Sequence, residues 1–492
     1  MRRVSLPPKA AMLIESMRDL GYTLETALAD VIDNSISAEA SEIDLLADTN
    51  PANPRIAILD NGHGMSEAEL LDAMRPGNRN PLDDRSSNDL GRFGLGLKTA
   101  SFSQCRRVTV ATRTPNGLVC ARWDLDTVAE ADDWVVEIYE NEPEIPWLDR
   151  LGDQGTLVIW EKLDRLAEAD GVAASAEHVI RRIDDAASHL ELVFHRYLAG
   201  ERGIKRVKIR LNNRQLEPFD PFNSKHPATI TGPEERIRLR NQDITVQAFT
   251  LPHHKKASPQ DWARFEGRGG YLRNQGFYVY RAKRLIIHGT WFGLARQTEL
   301  TKLARVRIDM PNQLDSDWKI DVRKASAQPP MRVRERLRTI IETIGATSKR
   351  VYTARGRKLV TDDRIPVWRR VQDKNEIRYV LNADHPVMSE FSSKLDTDLR
   401  SQFRRVLELS AASLPVDALF ADLGGQPEAV SSAEIAEDDL AILVETTFRV
   451  IAQAGTAAAS IPEMLRLAEP FRSQWERVEP QVTSLVQESA TT

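Results

Sequence analysis

Leu24, Leu28, Val31 and Ile32 fall near i, i+4, i+7 and i+8 and make one apolar stripe. They predict a helix running through Ala27-Leu-Ala-Asp-Val-Ile-Asp-Asn-Ser-Ile-Ser-Ala38, capped by Thr23 with Thr26 in its first turn. A shorter amphipathic helix is expected over 9–20, with Met12, Leu13, Met17 and Leu20 inward and Gly21 closing it. Short apolar runs predict strands at 42–48, 55–60, 107–113, 117–125, 133–139 and 155–160. Between them, Ser66 and Glu69 form a capping box for a helix reaching Met74. A helix over 174–198, with Ile180, Ile183, Leu190, Leu192 and Phe194 on its stripe, closes this region.

Further strands are expected at 203–216, 246–251, 276–288 (a hairpin turning at 281–283), 305–309 and 318–324, and a helix over 331–350. Beyond 360 the pattern weakens to a strand at 376–383 and helices at 397–411, 433–454 and 462–478. With 492 residues the chain exceeds one core, and the expected division is 1–198, 199–358 and 359–492. The fold class is α+β, ending in a mainly helical C-terminal region suited to interaction or dimerisation.

Charge changes this picture. Residues 1–160 hold 15 Lys and Arg against 27 Asp and Glu, a net of −12, whereas 201–380 hold 39 against 19, a net of +20. A basic middle suits a polyanion such as DNA, or docks on its own acidic neighbours. Arginines and lysines at 281–284 and 332–338 read as surface positions fit for phosphate-backbone contacts. Two cysteines, Cys105 and Cys120, exclude a disulfide framework and a four-cysteine zinc site, and fit a cytoplasmic protein. No apolar run approaches a membrane span, and the start lacks a signal-peptide core.

The chemistry begins on the first long helix. Asp30 and Asn34 are one turn apart on one face. There an amide oxygen can bind a hard cation and a carboxylate can orient and deprotonate a water; alternatively the pair is a solvated polar face. Asp60-Asn-Gly62-His-Gly64-Met65 follows a strand. Its carboxylate can accept from an exocyclic amine such as adenine's, with two glycines letting backbone approach a flat ligand; alternatively Asn-Gly makes a hairpin turn. A polar loop over 76–90 reads as a lid. It leads into Gly91-Arg-Phe-Gly94-Leu-Gly96-Leu97-Lys98, a phosphate-cradling loop before a helix, though neither a Walker loop nor a dinucleotide fingerprint. Gly155-Thr156 opens a strand that can close over a base.

Together, Asp30-x-x-x-Asn34, Asp60-x-Gly-x-Gly64, Gly91-x-x-Gly-x-Gly96-x-Lys98 and Gly155-Thr156 resemble the four boxes of the GHKL ATPases, which include gyrase-type topoisomerases, chaperones, sensor kinases, MutL and MORC proteins. The prokaryotic MORC- and MutL-like group looks most similar. The resemblance implies a Bergerat-type α/β sandwich followed by an α/β transducer domain. It also implies ATP and Mg²⁺ as ligands, with Asn34 on the metal and Asp30 as general base. Asp60 and Thr156 would take the adenine, Gly62, Gly64 and Met65 would line it, and Gly91, Gly94, Gly96, Leu97 and Lys98 would hold the phosphates. Lys324, backed by Lys319 and Arg323, would reach the γ-phosphate from the transducer. One departure matters: the family's usual base is Glu, and Asp30 is one methylene shorter, which favours slow hydrolysis. Asp33 is a poorer substitute, about 100° around the helix from Asn34. The implied function is an ATP-gated dimeric clamp on double-stranded DNA in a restriction-like or phage-defence system, working with a partner nuclease or other defence proteins. The alternatives are a chaperone-like clamp on protein clients and a nucleotide-gated scaffold with little hydrolysis.

Overall fold

The computed structural model describes residues 3, 9–19, 21–50, 52–76, 96–169, 172–173, 175–320, 327–353, 365–373, 376–416, 418–419, 435–453 and 455–490. They fall into two compact units, Met1–Thr353 and Ala354–Thr492.

The first unit begins with helices α1 (Ala10–Arg18) and α2 (Leu24–Ser37). Its first sheet is built from β1 (Glu42–Asp48), β2 (Arg55–Asp60), β3 (Arg107–Thr114), β4 (Gly117–Asp124), β5 (Glu137–Ile138) and β6 (Gly155–Glu161). A small hairpin, β7 (Glu168–Ala169) and β8 (Val172–Ala173), stands apart, and β9 (Lys208–Leu211) and β10 (Arg214–Gln215) complete the sheet. The strand order is β10-β9-β1-β2-β6-β3-β4-β5. Every pairing is antiparallel except β1 with β9. The sheet therefore continues past residue 198, drawing in residues that the sequence pattern assigns to the next region.

Helices α3 (Glu67–Met74), α4 (Gly96–Gln104), α5 (Leu125–Ala131), α6 (Asp164–Ala167), α7 (Ala176–Val193) and α8 (His195–Ala199) accompany this sheet. Alternation along β2 explains its position. Ile56 and Ile58 join the core with Leu24, Leu28 and Ile32 of α2, while Ala57 and Leu59 join a second cluster with Leu148, Leu151 and Leu157. A strand apolar on both faces belongs at the centre of a covered sheet. The mixed α+β class and the antiparallel-rich first sheet match the expected fold.

Several local readings change: the strand expected at 133–139 is only Glu137–Ile138, and the helix expected over 462–478 is divided into Ile461–Leu467 and Trp475–Ala490. On α1 the buried face is Ala10, Ile14 and Arg18, while Met12 and Leu13 are exposed, because Arg18 turns inward to give its Nε–H to the Phe102 carbonyl and to pair with Asp164 at 2.6 Å. The long helix breaks at Phe194, which caps α7 and is fully buried, and Ile180 is exposed. Trp318 and Lys319 lie in a turn, Lys319 at φ 46°, and not in a strand.

The second sheet runs β11-β12-β15-β13-β14, made of β11 (Ile230–Leu239), β12 (Gln242–Thr250), β13 (Gly276–Arg281), β14 (Arg284–Thr290) and β15 (Ala304–Met310). Helices α9 (Pro259–Glu266) and α10 (Gly270–Arg273) interrupt it, and α11 (Met331–Thr353) follows. On α11, Val333, Leu337, Ile340 and Ile344 pack with Ile244, Val246, Val279 and Ile308 on one face. Tyr278 and Tyr280, out of phase with Val279 on β13, pack with Phe222, Phe249 and Leu285 on the other.

The second unit holds the hairpin Trp368–Asp373 with Glu376–Leu381, and helices Pro386–Lys394, Thr397–Ala412, Glu437–Gln453, Ile461–Leu467 and Trp475–Ala490. Its core gathers Leu440, Val444, Phe448, Leu465, Phe471, Val478 and Val482. Among the described residues no helix is long and apolar enough to cross a membrane.

Candidate functional site

Helix α2 sits where it does because its start is fixed. The Thr23 side chain accepts from the Thr26 N–H, and the Thr26 hydroxyl oxygen accepts from the Thr23 N–H in return. Its end is set by Glu39, in the left-handed region at φ 62°. Between these limits three polar side chains are buried, Asp30, Asp33 and Ser35 at 5%, 1% and 3% exposure, while Asn34 is exposed.

Ser35 ties this helix to the end of β2. Its hydroxyl donates to Asp60 Oδ2 at 2.7 Å, and the Gly62 N–H donates to Asp60 Oδ1 at 2.9 Å. Burial pushes the Asp60 carboxyl above its ordinary value, opposed by the hydrogen bonds from Ser35, Gly62 and the Thr156 backbone. These three donors take three of the carboxylate's four lone-pair sites, and the fourth is left for a ligand donor. Across the sheet, Asp60 pairs in register with Thr156, and Thr156 with Thr112. The Thr112 and Thr156 hydroxyls are 3.2 Å apart, and the Met65 N–H donates to Thr112 Oγ1 at 2.8 Å. Asp60, Met65 and Thr156 are thus joined in one polar cluster through Thr112 and Ser35, two residues that the motifs do not mark.

Asn61-Gly62 is not a hairpin turn. β2 pairs with β1 and β6, and Asn61 Oδ1 accepts from the backbone N–H groups of Ser41 and Glu42. The glycines also have a reason within the chain: a Cβ at Gly62 would lie 2.7 Å from the Ala38 carbonyl oxygen, and at Gly64, where φ is 68°, 2.2 Å from that of Arg113. Gly155 is constrained in the same way by the Asp60 carbonyl at 2.0 Å.

Helix α4 begins at Gly96 and packs against α2. Leu97 is half-buried, Lys98 buried and Thr99 fully buried in its first turn. Gly91, Gly94, Arg323 and Lys324 lie outside the described residues, as does the expected lid from residue 77 onward.

Asp30 has two neighbours that sequence spacing does not reveal. The Tyr22 hydroxyl donates to Asp30 Oδ2 at 2.9 Å. Arg284, on β14, donates from Nε to Asp33 Oδ1 at 3.0 Å and brings Nη2 to 3.7 Å from Asp30 Oδ1. Arg284 is 6% exposed and its guanidinium lies 5.6 Å from the centre of the Phe194 ring. The 281–284 cluster is therefore not a surface patch. Arg281 pairs with Asp315 at 2.9 Å, Lys283 with Glu201 at 2.9 Å, and Arg284 with α2. Nearby acidic groups hold these cations inside the unit, which the linear run of positive residues could not disclose.

Residues 22–155 match the model of the histidine kinase-, DNA gyrase B- and HSP90-like ATPases. A stretch of 97 residues is 31% identical to ATPase MORC2B of Mus musculus, covering 19% of this chain and 9% of that protein. The matched span contains α2, β2 and α4, the elements that carry Asp30, Asn34, Asp60 and Lys98. Over residues 22–155 this chain is thus similar to the GHKL ATPases, with a MORC-like resemblance within that group.

Proposed function

We propose that the first unit binds ATP with Mg²⁺ and hydrolyses it, and that the chain acts as an ATP-gated dimeric clamp on double-stranded DNA. The observation that carries the nucleotide reading is Asp60. It is a buried carboxylate at a strand end, oriented by Ser35 and Gly62, one strand from Thr156 and directly linked to the helix bearing Asp30 and Asn34. An adenine amine donates to Asp60, and the N-terminus of α4 with Lys98 supplies positive potential for phosphates.

The donor set fits Mg²⁺ arriving with the nucleotide. Asn34 offers an exposed amide oxygen, and among the described residues no cluster of three or more His, Cys, Asp or Glu forms a protein-only cage. Bound there, the ion would neutralise phosphate charge. Asp30 orients a water and takes its proton as the oxygen attacks the γ-phosphorus and the bond to ADP breaks. Lys324 is assigned to the γ-phosphate.

The DNA reading is supported by arginines other than the 281–284 set. Arg236 and Arg238 are exposed on the edge strand β11, and Arg332, Arg334 and Arg338 on α11. A defence role and cytoplasmic location complete the proposal. A second reading, a nucleotide-gated scaffold with little turnover, is favoured by one observation: Asp30 is already engaged by Tyr22 and faced by Arg284.

The deciding measurement is ATP binding and hydrolysis by the wild type and Asp30→Asn, with and without duplex DNA. Turnover that responds to DNA, lost in a variant that still binds ATP, supports the clamp. Tight binding without turnover under any condition selects the scaffold, and no ATP binding defeats both.

A further inference from the structure

Resting on the ATP-site reading, we propose that Arg284 is a positioning residue for Asp30, a direct tie from the second sheet to the hydrolytic carboxylate. The geometry is that of a fork holding two groups. Nε donates to Asp33 Oδ1 at 3.0 Å, and Nη2 stands 3.7 Å from Asp30 Oδ1, too long for a hydrogen bond but close enough to attract it. Nη1 donates to the Leu285 carbonyl at 3.1 Å, fixing the guanidinium to its own strand. Tyr22 holds the opposite oxygen of Asp30. Asp30 is thus aimed from two sides: one partner precedes its own helix, the other lies about 250 residues away on β14.

This assigns Asp33 a different task from Asp30. At 1% exposure and bonded to Arg284, Asp33 anchors the arginine, and Asp30 is left as the carboxylate next to Asn34's face. The anchor is reinforced around it. The Tyr197 hydroxyl donates to the Ala282 carbonyl at 2.7 Å, His195 Nε2 is 2.8 Å from the Tyr280 hydroxyl, and Arg196 pairs with Asp309. The turn before β14 is therefore clamped to α8, and a shift of the β13–β14 hairpin relative to α2 must move Arg284 against Asp30. A lysine at 284 keeps the charge but has one nitrogen and no planar fork, so it cannot hold Asp33, the Leu285 carbonyl and the approach to Asp30 from three separate nitrogens as the guanidinium does.

The test is Arg284→Lys and the charge-balanced pair Arg284→Gln with Asp33→Asn, in the full chain. For each, thermal stability, the Kd for a non-hydrolysable ATP analogue, and kcat are measured. The expected result is Kd within about twofold of wild type with kcat reduced at least about tenfold in both variants, a loss of about 1.4 kcal/mol of transition-state stabilisation. The inference is overturned if kcat stays within twofold of wild type, or if affinity for the analogue, kcat and melting temperature fall together, which marks a purely structural ion pair. A wild type that binds no analogue defeats the ATP-site reading and this inference with it. A wild type that binds and hydrolyses while both variants match it defeats this inference alone.

Discussion

Burial raises the Asp60 carboxyl while Ser35, Gly62 and Thr156 pull it back, so the site invests hydrogen bonds to keep a charge under cover. Replacing Asp60 by Asn separates the two effects. The amide oxygen can still accept from Gly62, and its NH₂ can donate to the Ser35 hydroxyl, so the melting temperature should change by only a few degrees. The charged acceptor for an adenine amine is lost, which costs about 2 kcal/mol of binding, or roughly 30-fold in Kd. Calorimetric titration with ATP measures this, and an unchanged Kd would remove Asp60 from the base-binding role. Glycines respond to their own backbone surroundings. Gly64→Ala drives a Cβ into the Arg113 carbonyl and should destabilise by about 3 kcal/mol or more, whereas at Gly203 (φ 93°, open space) alanine pays only the left-handed penalty of about 1–2 kcal/mol. Denaturant titration of both variants separates contact from conformation.

Among elements, α8 carries one of the buried histidines that make stability depend on pH. His195 is 7% exposed, and burial pushes its imidazole down to about 4, with Arg196 adding to the effect and Asp220 opposing it. The unfolded imidazole titrates near 6.5. As pH falls from about 6.5 to 4, the unfolded chain takes up a proton that the folded one refuses, so stability falls across that window, by about 3 kcal/mol at most. Glu201 is held down to about 2 mainly by Arg196 and Lys283 against its burial cost, so its contribution is lost at lower pH, from about 4.5 downward. Melting curves of wild type and His195→Gln between pH 7 and 4 should converge toward the acid end; parallel curves would dismiss His195 as the cause. The elements differ in how far their sequence reveals them. β1, β2 and the Ser66 cap were legible because alternation and capping chemistry are local. β11 was not, since Gly232-Pro233-Glu234-Glu235 interrupts its pattern and Ile237 is its one buried side chain. Arg284 was not either: a basic cluster at a hairpin looks solvated until the acidic helix that receives it is placed beside it. At the site, Asp60 and Thr156 could be marked from strand ends, but Ser35, Thr112 and Tyr22 act through partners 25 or more residues away or, for Tyr22, from just before the helix.

For the whole molecule, the formal +20 of residues 201–380 overstates the charge available to a partner. Arg281 and Arg284 are consumed in buried ion pairs, and Arg305 is 2% exposed with its Nη2 on the Phe265 carbonyl at 2.7 Å. What remains outward in the second sheet and α11 includes Arg236, Arg238, Arg332, Arg334 and Arg338, all within Met1–Thr353. Each unit closes its own core, so residues 1–353 should fold alone and bind ATP within about twofold of the full chain. If these arginines meet about five phosphates, the logarithm of DNA affinity should fall with the logarithm of salt at a slope near −4.5, a loss of roughly 500-fold between 50 and 200 mM. Arg334→Glu with Arg338→Glu should weaken binding on every duplex sequence alike and flatten that slope by about 2, because phosphate contacts carry no sequence information. Fluorescence anisotropy across a salt series on the fragment gives the answer. A flat slope, or a fragment that binds ATP yet ignores DNA while the full chain binds it, would move the DNA surface off β11 and α11 and leave the first unit as a nucleotide switch for a partner held elsewhere.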